Sequence, residues 1–182
     1  MGLSVVTAPT DEPVSLAEAR KHCRIDTADD DGLLTGIILA ARQWAETYLR
    51  RALCTQTLDL TLDCWPDTIV LPRPPHQSVT SISYVDTAGA TQVLATSEYQ
   101  VDLSSDSLGA QIRPAYQKTW PSLRLDVFNP ITVRFVAGYG GNPSNIPDPI
   151  RSAILLLIGH FYENREDVVI GTITSSLPIG AR

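Results

Sequence analysis

The 182-residue chain has three cysteines, three histidines, one methionine and fourteen lysines and arginines combined. Each shortage removes a class of function. Twenty acidic residues outnumber the basic ones, giving a formal net charge of -6 at pH 7, and no run of Lys or Arg occurs. Nucleic-acid binding draws on clustered cations that displace counterions from phosphates, so a grip on DNA is excluded. An acidic surface repels DNA and favours its passage. Cys23, Cys54 and Cys64 form an odd set without C-x-x-C, which leaves neither a zinc knuckle nor a disulfide framework; buried, reduced thiols are expected. The longest apolar run, around Ala153 to Ile158, is too short to cross a bilayer. Met1 to Pro13 lacks the basic-then-apolar order of a targeting signal. A protein made and used in a cytoplasm, with no membrane partner, is expected.

Reactive constellations are scarce as well. Asp29, Asp31 and Gly32 sit at calcium-loop offsets, but Thr27 would take the first ligand position and Ile38 that of the bidentate glutamate, so the acids read as a helix-capping cluster. His160 and Glu163 lie three apart on one predicted helix face, yet two ligands make no metal site and H-E-x-x-H is missing. Gly138, Gly140 and Gly141 follow a strand and precede a helix as phosphate loops do, without the Lys-Ser or Lys-Thr such loops need; a turn is expected. No G-x-S-x-G marks an elbow serine, although a Ser/His/Asp set drawn from distant positions stays open. The expectation is no enzyme, no catalytic residue, no metal and no cofactor.

What the sequence does have is pattern. Hydrophobic residues at 43% and charged residues at 19% match an ordinary folded domain, one long enough to bury about two thirds of its unfolded surface. Ser15-Leu16-Ala17-Glu18 is a capping box opening a short helix from about Leu16 to Cys23. Asp29 to Asp31 precede Leu33, Leu34, Ile37, Ile38, Ala41, Trp44, Ala45, Tyr48 and Leu49, one apolar helix face, with Arg50 and Arg51 complementing the dipole at its end. From Thr55 the period falls to two: Leu58, Leu60 and Leu62 alternate with Asp59, Thr61 and Asp63. Further strands are expected at Thr68 to Leu71, Val79 to Val85, Thr91 to Leu94, Tyr99 to Asp102, Ala110 to Arg113 and Ile131 to Val136. Asp148 is expected to cap a last helix with Pro149 in its first turn and a core stripe of Ile150, Ile154, Leu157, Ile158 and Phe161.

These elements predict an α+β fold: a helical core of N-terminal helices and a C-terminal helix, an inserted small antiparallel sheet or sandwich, and an extended C-terminal arm. The divisions are 1–54 for the N-terminal part of the helical core, 55–147 for the β region, 148–167 for the C-terminal helix and 168–182 for the arm. Leu155 and Leu156 widen the last helix's apolar surface beyond one stripe, and the arm, apolar and uncharged until Arg182, carries Val168, Val169, Ile170, Ile173, Leu177, Pro178 and Ile179. These residues are the candidate surface for another subunit or partner. The alternative for the arm is an edge strand laid back on its own sheet. Trp65, Trp120, Tyr116 and Tyr139 would be platform aromatics if the β region bound carbohydrate or protein; packing is their plainer role.

Five segments carry a family likeness: Pro13-Val14-Ser15-Leu16-Ala17-Glu18-Ala19; Leu71-Pro72-Arg73-Pro74-Pro75; Ser78-Val79-Thr80-Ser81-Ile82; Phe135-Val136-Ala137-Gly138-Tyr139-Gly140; and the run from Ile154 through His160-Phe161-Tyr162-Glu163-Asn164-Arg165-Glu166. In this order and spacing, from about Pro13 to Gly180, the chain resembles the head-to-tail connector (adaptor) family of long-tailed bacteriophages, prophages and gene transfer agents. The resemblance implies a structural virion protein at the head–tail junction, a ring of about twelve copies under the portal protein. A stopper or tail terminator would be the next neck protein, with DNA passing non-specifically through the lumen. It implies that the arm engages the portal, and that some relatives continue past Gly180. Within such a particle, a stopper or tail terminator is itself the nearest competing assignment.

Overall fold

The computed structural model describes residues 1–104 and 109–164. It is an α+β fold of eight strands and three α-helices among these residues. The helices are α1 (Leu16–Cys23), α2 (Asp31–Leu49) and α3 (Asp148–Glu163). The capping box forms as the sequence predicts: Glu18 N donates to Ser15 Oγ at 3.2 Å while Ser15 N donates to Glu18 Oε2 at 2.9 Å. Arg24 and Arg50 stop α1 and α2 in the left-handed region, φ 56° and 53°. α3 departs from expectation at its start. Pro147 is the cap residue, Asp148 lies in the first turn, and no side chain makes a cap hydrogen bond. Asp148 therefore acts through the positive end of the helix dipole.

The larger sheet is antiparallel in the order β1-β2-β8-β4-β5, from β1 (Gly2–Thr7), β2 (Gln56–Leu62), β8 (Ile131–Ala137), β4 (His76–Val85) and β5 (Thr91–Val93). A smaller sheet runs β3-β7-β6, from β3 (Ile69–Val70), β7 (Gln111–Pro114) and β6 (Tyr99–Asp102). Strand alternation sets the register. Leu58, Leu60 and Leu62 face Phe135, Val133 and Ile131 across β2 and β8, all buried, while Asp59 and Arg134 pair on the other face at 2.8 Å. Both sheets feed one core, which also holds Ile82, Ile69, Ile112 and Tyr99. Each fully buried aliphatic or phenyl side chain there contributes roughly 1.5–3 kcal/mol relative to exposure.

β1 was not predicted. It lies in the stretch assigned to the helical core, all six of its residues are exposed, and its register shifts between Val5 and Thr7, which breaks the alternation a strand signal needs. A second core joins the helices: Leu34, Ile37, Ile38, Ala41 and Ala45 of α2, Ala19 of α1, Ile154, Leu157 and Ile158 of α3, with Val14, Leu53 and Ile146. Polar ties frame it. Arg20 binds Asp31, Arg151 reaches Glu18 at 2.5 Å, and Tyr162 Oη donates to Asp30 at 2.5 Å. Of the acids at calcium-loop offsets, Asp31 is thus tied to α1 through Arg20; Asp30 is the cap residue of α2 but makes no side-chain cap hydrogen bond, so the acidic cluster acts through these ties and the helix dipole instead of as a side-chain cap.

Candidate functional site

The helical and β lobes meet at a buried polar hub. Glu46, in the last turns of α2, is 6% exposed. Its Oε1 accepts from Leu53 N at 2.9 Å and Gln56 Nε2 at 3.0 Å, and its Oε2 from Arg42 NH1 at 3.0 Å. Arg42 Nε donates to Glu12 at 2.7 Å, and Arg73 NH1 to the Glu46 carbonyl at 2.9 Å. The Glu46 carboxylate therefore ties α2 to the crossing into β2, its backbone carbonyl holds the 72–75 turn through Arg73, and Arg42 carries the link on to Glu12 in the N-terminal segment. Cys54 lies inside this junction; burial, before any charge, pushes its thiol up to about 12, so it stays a neutral packing group. Cys23 is half-buried, its thiol raised by burial first and by Glu163 second, and Cys64 is exposed. The expectation of three buried thiols holds for Cys54 alone, because Cys64 lies past the end of β2 where the chain turns outward.

The glycine stretch serves the same junction. Gly138 has φ 126°, and a Cβ there would sit 2.5 Å from the Cys54 carbonyl carbon and oxygen. Its N–H donates to Pro75 O at 2.8 Å, and Tyr139 N to Leu53 O at 3.1 Å. This is a close backbone crossing that only glycine fits, used as a turn. The platform aromatics also have structural partners. Trp65 and Trp120 stack on each other, 4.6 Å between centroids and 7° between planes, and their indole N–H groups donate to Pro121 O and Pro66 O, each at 2.9 Å. Tyr139 accepts from Arg51 at 2.9 Å, while Tyr116 points outward. His76 lies apart, accepting from Ala110 N and bonding Pro72 O, whereas His22, against Gly159, and His160, beside Asn164, line one cleft.

The predicted interface residues divide. Leu156 is 60% exposed, beside a cleft of 540 Å³ lined by His22, Arg24, His160 and Glu163. Leu155 instead packs half-buried against the helical core, so the surplus apolar face of α3 is narrower than its sequence suggests. Val168, Val169, Ile170, Ile173, Leu177, Pro178 and Ile179 lie outside the described residues. α3 ends at Glu163, which lines the Leu156 cleft. Sequence reasoning gave no signal for two other surfaces. A groove of 810 Å³ runs between the end of α2 and the small sheet, and the loop before β8 carries exposed Leu125 and Phe128.

The family described as phage gp6-like head-tail connector protein matches residues 13–111, more than half of the chain. The chain belongs to this connector family. The match begins just before the capping box and takes in α1, α2, the hub residues Arg42, Glu46, Gln56 and Arg73, and strands β2 to β6. Among solved structures, the connector is similar to a chain in the neck of an empty gene transfer agent particle computed with C6 symmetry: 26% identity, TM-score 0.78, covering 95% of this chain and 89% of that one. It is also similar to a chain of the virion of a native gene transfer agent particle, with 26% identity, TM-score 0.78, and 99% and 91% covered. A third chain, from the neck of the native particle computed with C12 symmetry, has 25% identity and TM-score 0.76, with 99% and 90% covered. The sequence matches no curated protein. The connector is a structural adaptor at the head–tail junction of a phage or phage-like particle.

Proposed function

We propose that this connector acts without catalysis as one subunit of a closed ring under the portal protein. In this reading about twelve copies surround a lumen through which DNA passes, and a stopper or tail terminator binds the opposite side. The observation that carries the proposal is the whole-chain likeness to neck chains determined with C6 and C12 symmetry. Charge agrees with it: a subunit at -6 lines a passage without holding phosphates. The arm from Val168 to Ile179, together with Leu156, is the portal-binding element. Assembly takes place in the bacterial cytoplasm, and the finished site is the particle neck.

The test mixes the connector with the intact portal ring encoded in the same genome and measures the mass of the complex, with residues 168–182 present or deleted. A ring-sized increment that vanishes on deletion supports both the ring and the arm. An increment that survives deletion, or survives Ile173→Asp with Leu177→Asp, overturns the arm's role. No increment with the full chain overturns the seat under the portal, and moves the connector to another neck position.

A further inference from the structure

Two surfaces lie at opposite ends of α2. Its start meets the end of α3, where Tyr162 donates to Asp30 and Glu163 lines the Leu156 cleft. Its last residue, Leu49, and the following Arg50 line the 810 Å³ groove. The helix between has 19 residues, about 28 Å of rise. The groove has the buried Ile69 and Leu71 at its floor and the exposed Leu49 and Val70 at its rim. Its charge runs against that of the chain. Three arginines line it against one acid among the described residues, Asp63, although acids outnumber lysines and arginines by 20 to 14 overall. Arg51 donates to Tyr139. Arg73 donates to the Glu46 carbonyl, and neither it nor Arg50 is in an ion pair among the described residues. Asp63 also accepts from Asn129 N at 3.0 Å, which sets the loop with Leu125 and Phe128, 96% and 92% exposed, on the same flank as the groove.

We propose that this groove is the seat of the next neck protein, the stopper, and takes from it an apolar side chain flanked by carboxylates. The inference rests on the ring reading above, which puts the portal at the Leu156 end of the subunit and leaves the far end of α2 for the next component. Covering a guanidinium costs free energy unless an anion meets it. A partner that fills the groove therefore has to bring acids to Arg50 and Arg73, whose planar forks match a carboxylate. Burial on Ile69, Leu71 and Val70 supplies affinity, and the charges supply orientation. Phosphates would answer the arginines but leave the apolar floor facing charge and water, so the chemistry fits a protein and not DNA. Leu125 and Phe128, side by side with the groove, extend the apolar surface that the same partner covers.

The test uses the full chain as wild type, Arg50→Glu and Val70→Asp, each loaded on the intact portal ring, with the stopper encoded in the same genome as the probe. Both altered side chains are exposed. Unchanged circular dichroism and melting will show that the variants fold, and an unchanged mass increment on the portal that they assemble. Titration of labelled stopper onto the loaded rings then reads affinity. Val70→Asp is expected to weaken it about thirtyfold or more, the loss typical of a central interface anchor. Arg50→Glu is expected to weaken it about tenfold and to flatten its salt dependence. A loaded wild-type ring that takes up no stopper, or variants that bind it as wild type does, overturn the assignment of the groove and leave the ring reading intact. Variants that no longer load as rings make this flank a subunit contact and overturn it as well. So does a labelled DNA duplex that wild-type rings bind and Arg50→Glu rings release while stopper binding stays unchanged. Wild type that loads no ring on the portal overturns the ring reading, and this proposal with it.

Discussion

Replacing Glu46 with alanine tests whether the polar hub holds the two lobes as one body. The substitution leaves the Leu53 N–H and the Gln56 amide without their acceptor and strips Arg42 of one of its two carboxylates. Removing one partner of a buried ion pair costs about 3–5 kcal/mol, a range that already overlaps the roughly 1–3 kcal/mol for an orphaned buried donor. Against a total stability of about 5–15 kcal/mol this is a large fraction, and at ~2–4 °C per kcal/mol for a chain of this size the melting midpoint drops by about 6–20 °C. Glu46→Gln keeps an acceptor oxygen but loses the charge, and should cost about 1.5–3 kcal/mol. Urea titration in a Trp44→Phe background, so that only the β-lobe indoles emit, followed by far-ultraviolet dichroism for the helices and by fluorescence for Trp65 and Trp120, provides the assay. The wild-type transitions should coincide, whereas those of Glu46→Ala should separate. A loss below about 1 kcal/mol, no larger than that of an ordinary solvent-exposed ion pair, would refute the reasoning.

Gly138→Ala should destabilise by about 2 kcal/mol or more in thermal melting, because the new Cβ meets the Cys54 backbone at 2.5 Å and φ is 126°. In the native protein a thiol reagent should label exposed Cys64 quickly and Cys54 only on unfolding, since burial holds the Cys54 thiol up to about 12. The Ser15 backbone N–H, then the Ser15 hydroxyl and Arg151, hold Glu18 below its ordinary carboxylate range. Its stabilising contribution is therefore present above the unfolded pKa and lost as pH falls through the lower folded value. Glu18 is 44% exposed, so after allowance for screening by water the loss is about 0.5 kcal/mol. Comparing wild type with Glu18→Gln across pH 3 to 6 should show the difference vanish at the acid end. Trp120→Ala, which removes one ring of the indole stack and the bond to Pro66, should cost about 3 kcal/mol and lower the stability of the β lobe in urea.

The sequence made the periodic elements legible and left the junctions hidden. α1 could be read because Ser15 and Glu18 act within one turn, and β2 because Leu58, Leu60 and Leu62 alternate without interruption. β1 could not, because its bulge interrupts a strand only six residues long. Leu155 shows a limit of a different kind: its position suggests surplus apolar surface, but α3 packs against two helices and covers it. The hub joins Glu12 to Arg42 and Glu46 to Gln56, partners 30 and 10 residues apart. No local rule couples such pairs. The loop before β8 was silent for the opposite reason, since Leu125 and Phe128 belong to no periodic stripe and stand out only once their exposure is known.

Among the described residues the two lobes have separate buried cores, and the contacts named between them are directional. Hydrogen bonds to one carboxylate and a backbone crossing at Gly138 fix angle and distance more sharply than apolar burial, which tolerates sliding. A ring subunit needs that property. A small angular error at each subunit accumulates around the ring, and a ring that fails to close becomes an open helix. The Leu156 cleft on the helical lobe and the exposed Leu125 and Phe128 on the β lobe lie on opposite sides of the hub in the chain's two parts, so any assembly contact that uses both depends on it. Loosening the hub should therefore reduce ring closure by Glu46→Gln at temperatures where each lobe is still folded, while binding of a single subunit to the portal persists. Rings that close normally from Glu46→Gln, despite the expected loss of stability, would show that the lobes are aligned by the assembly and not by the subunit.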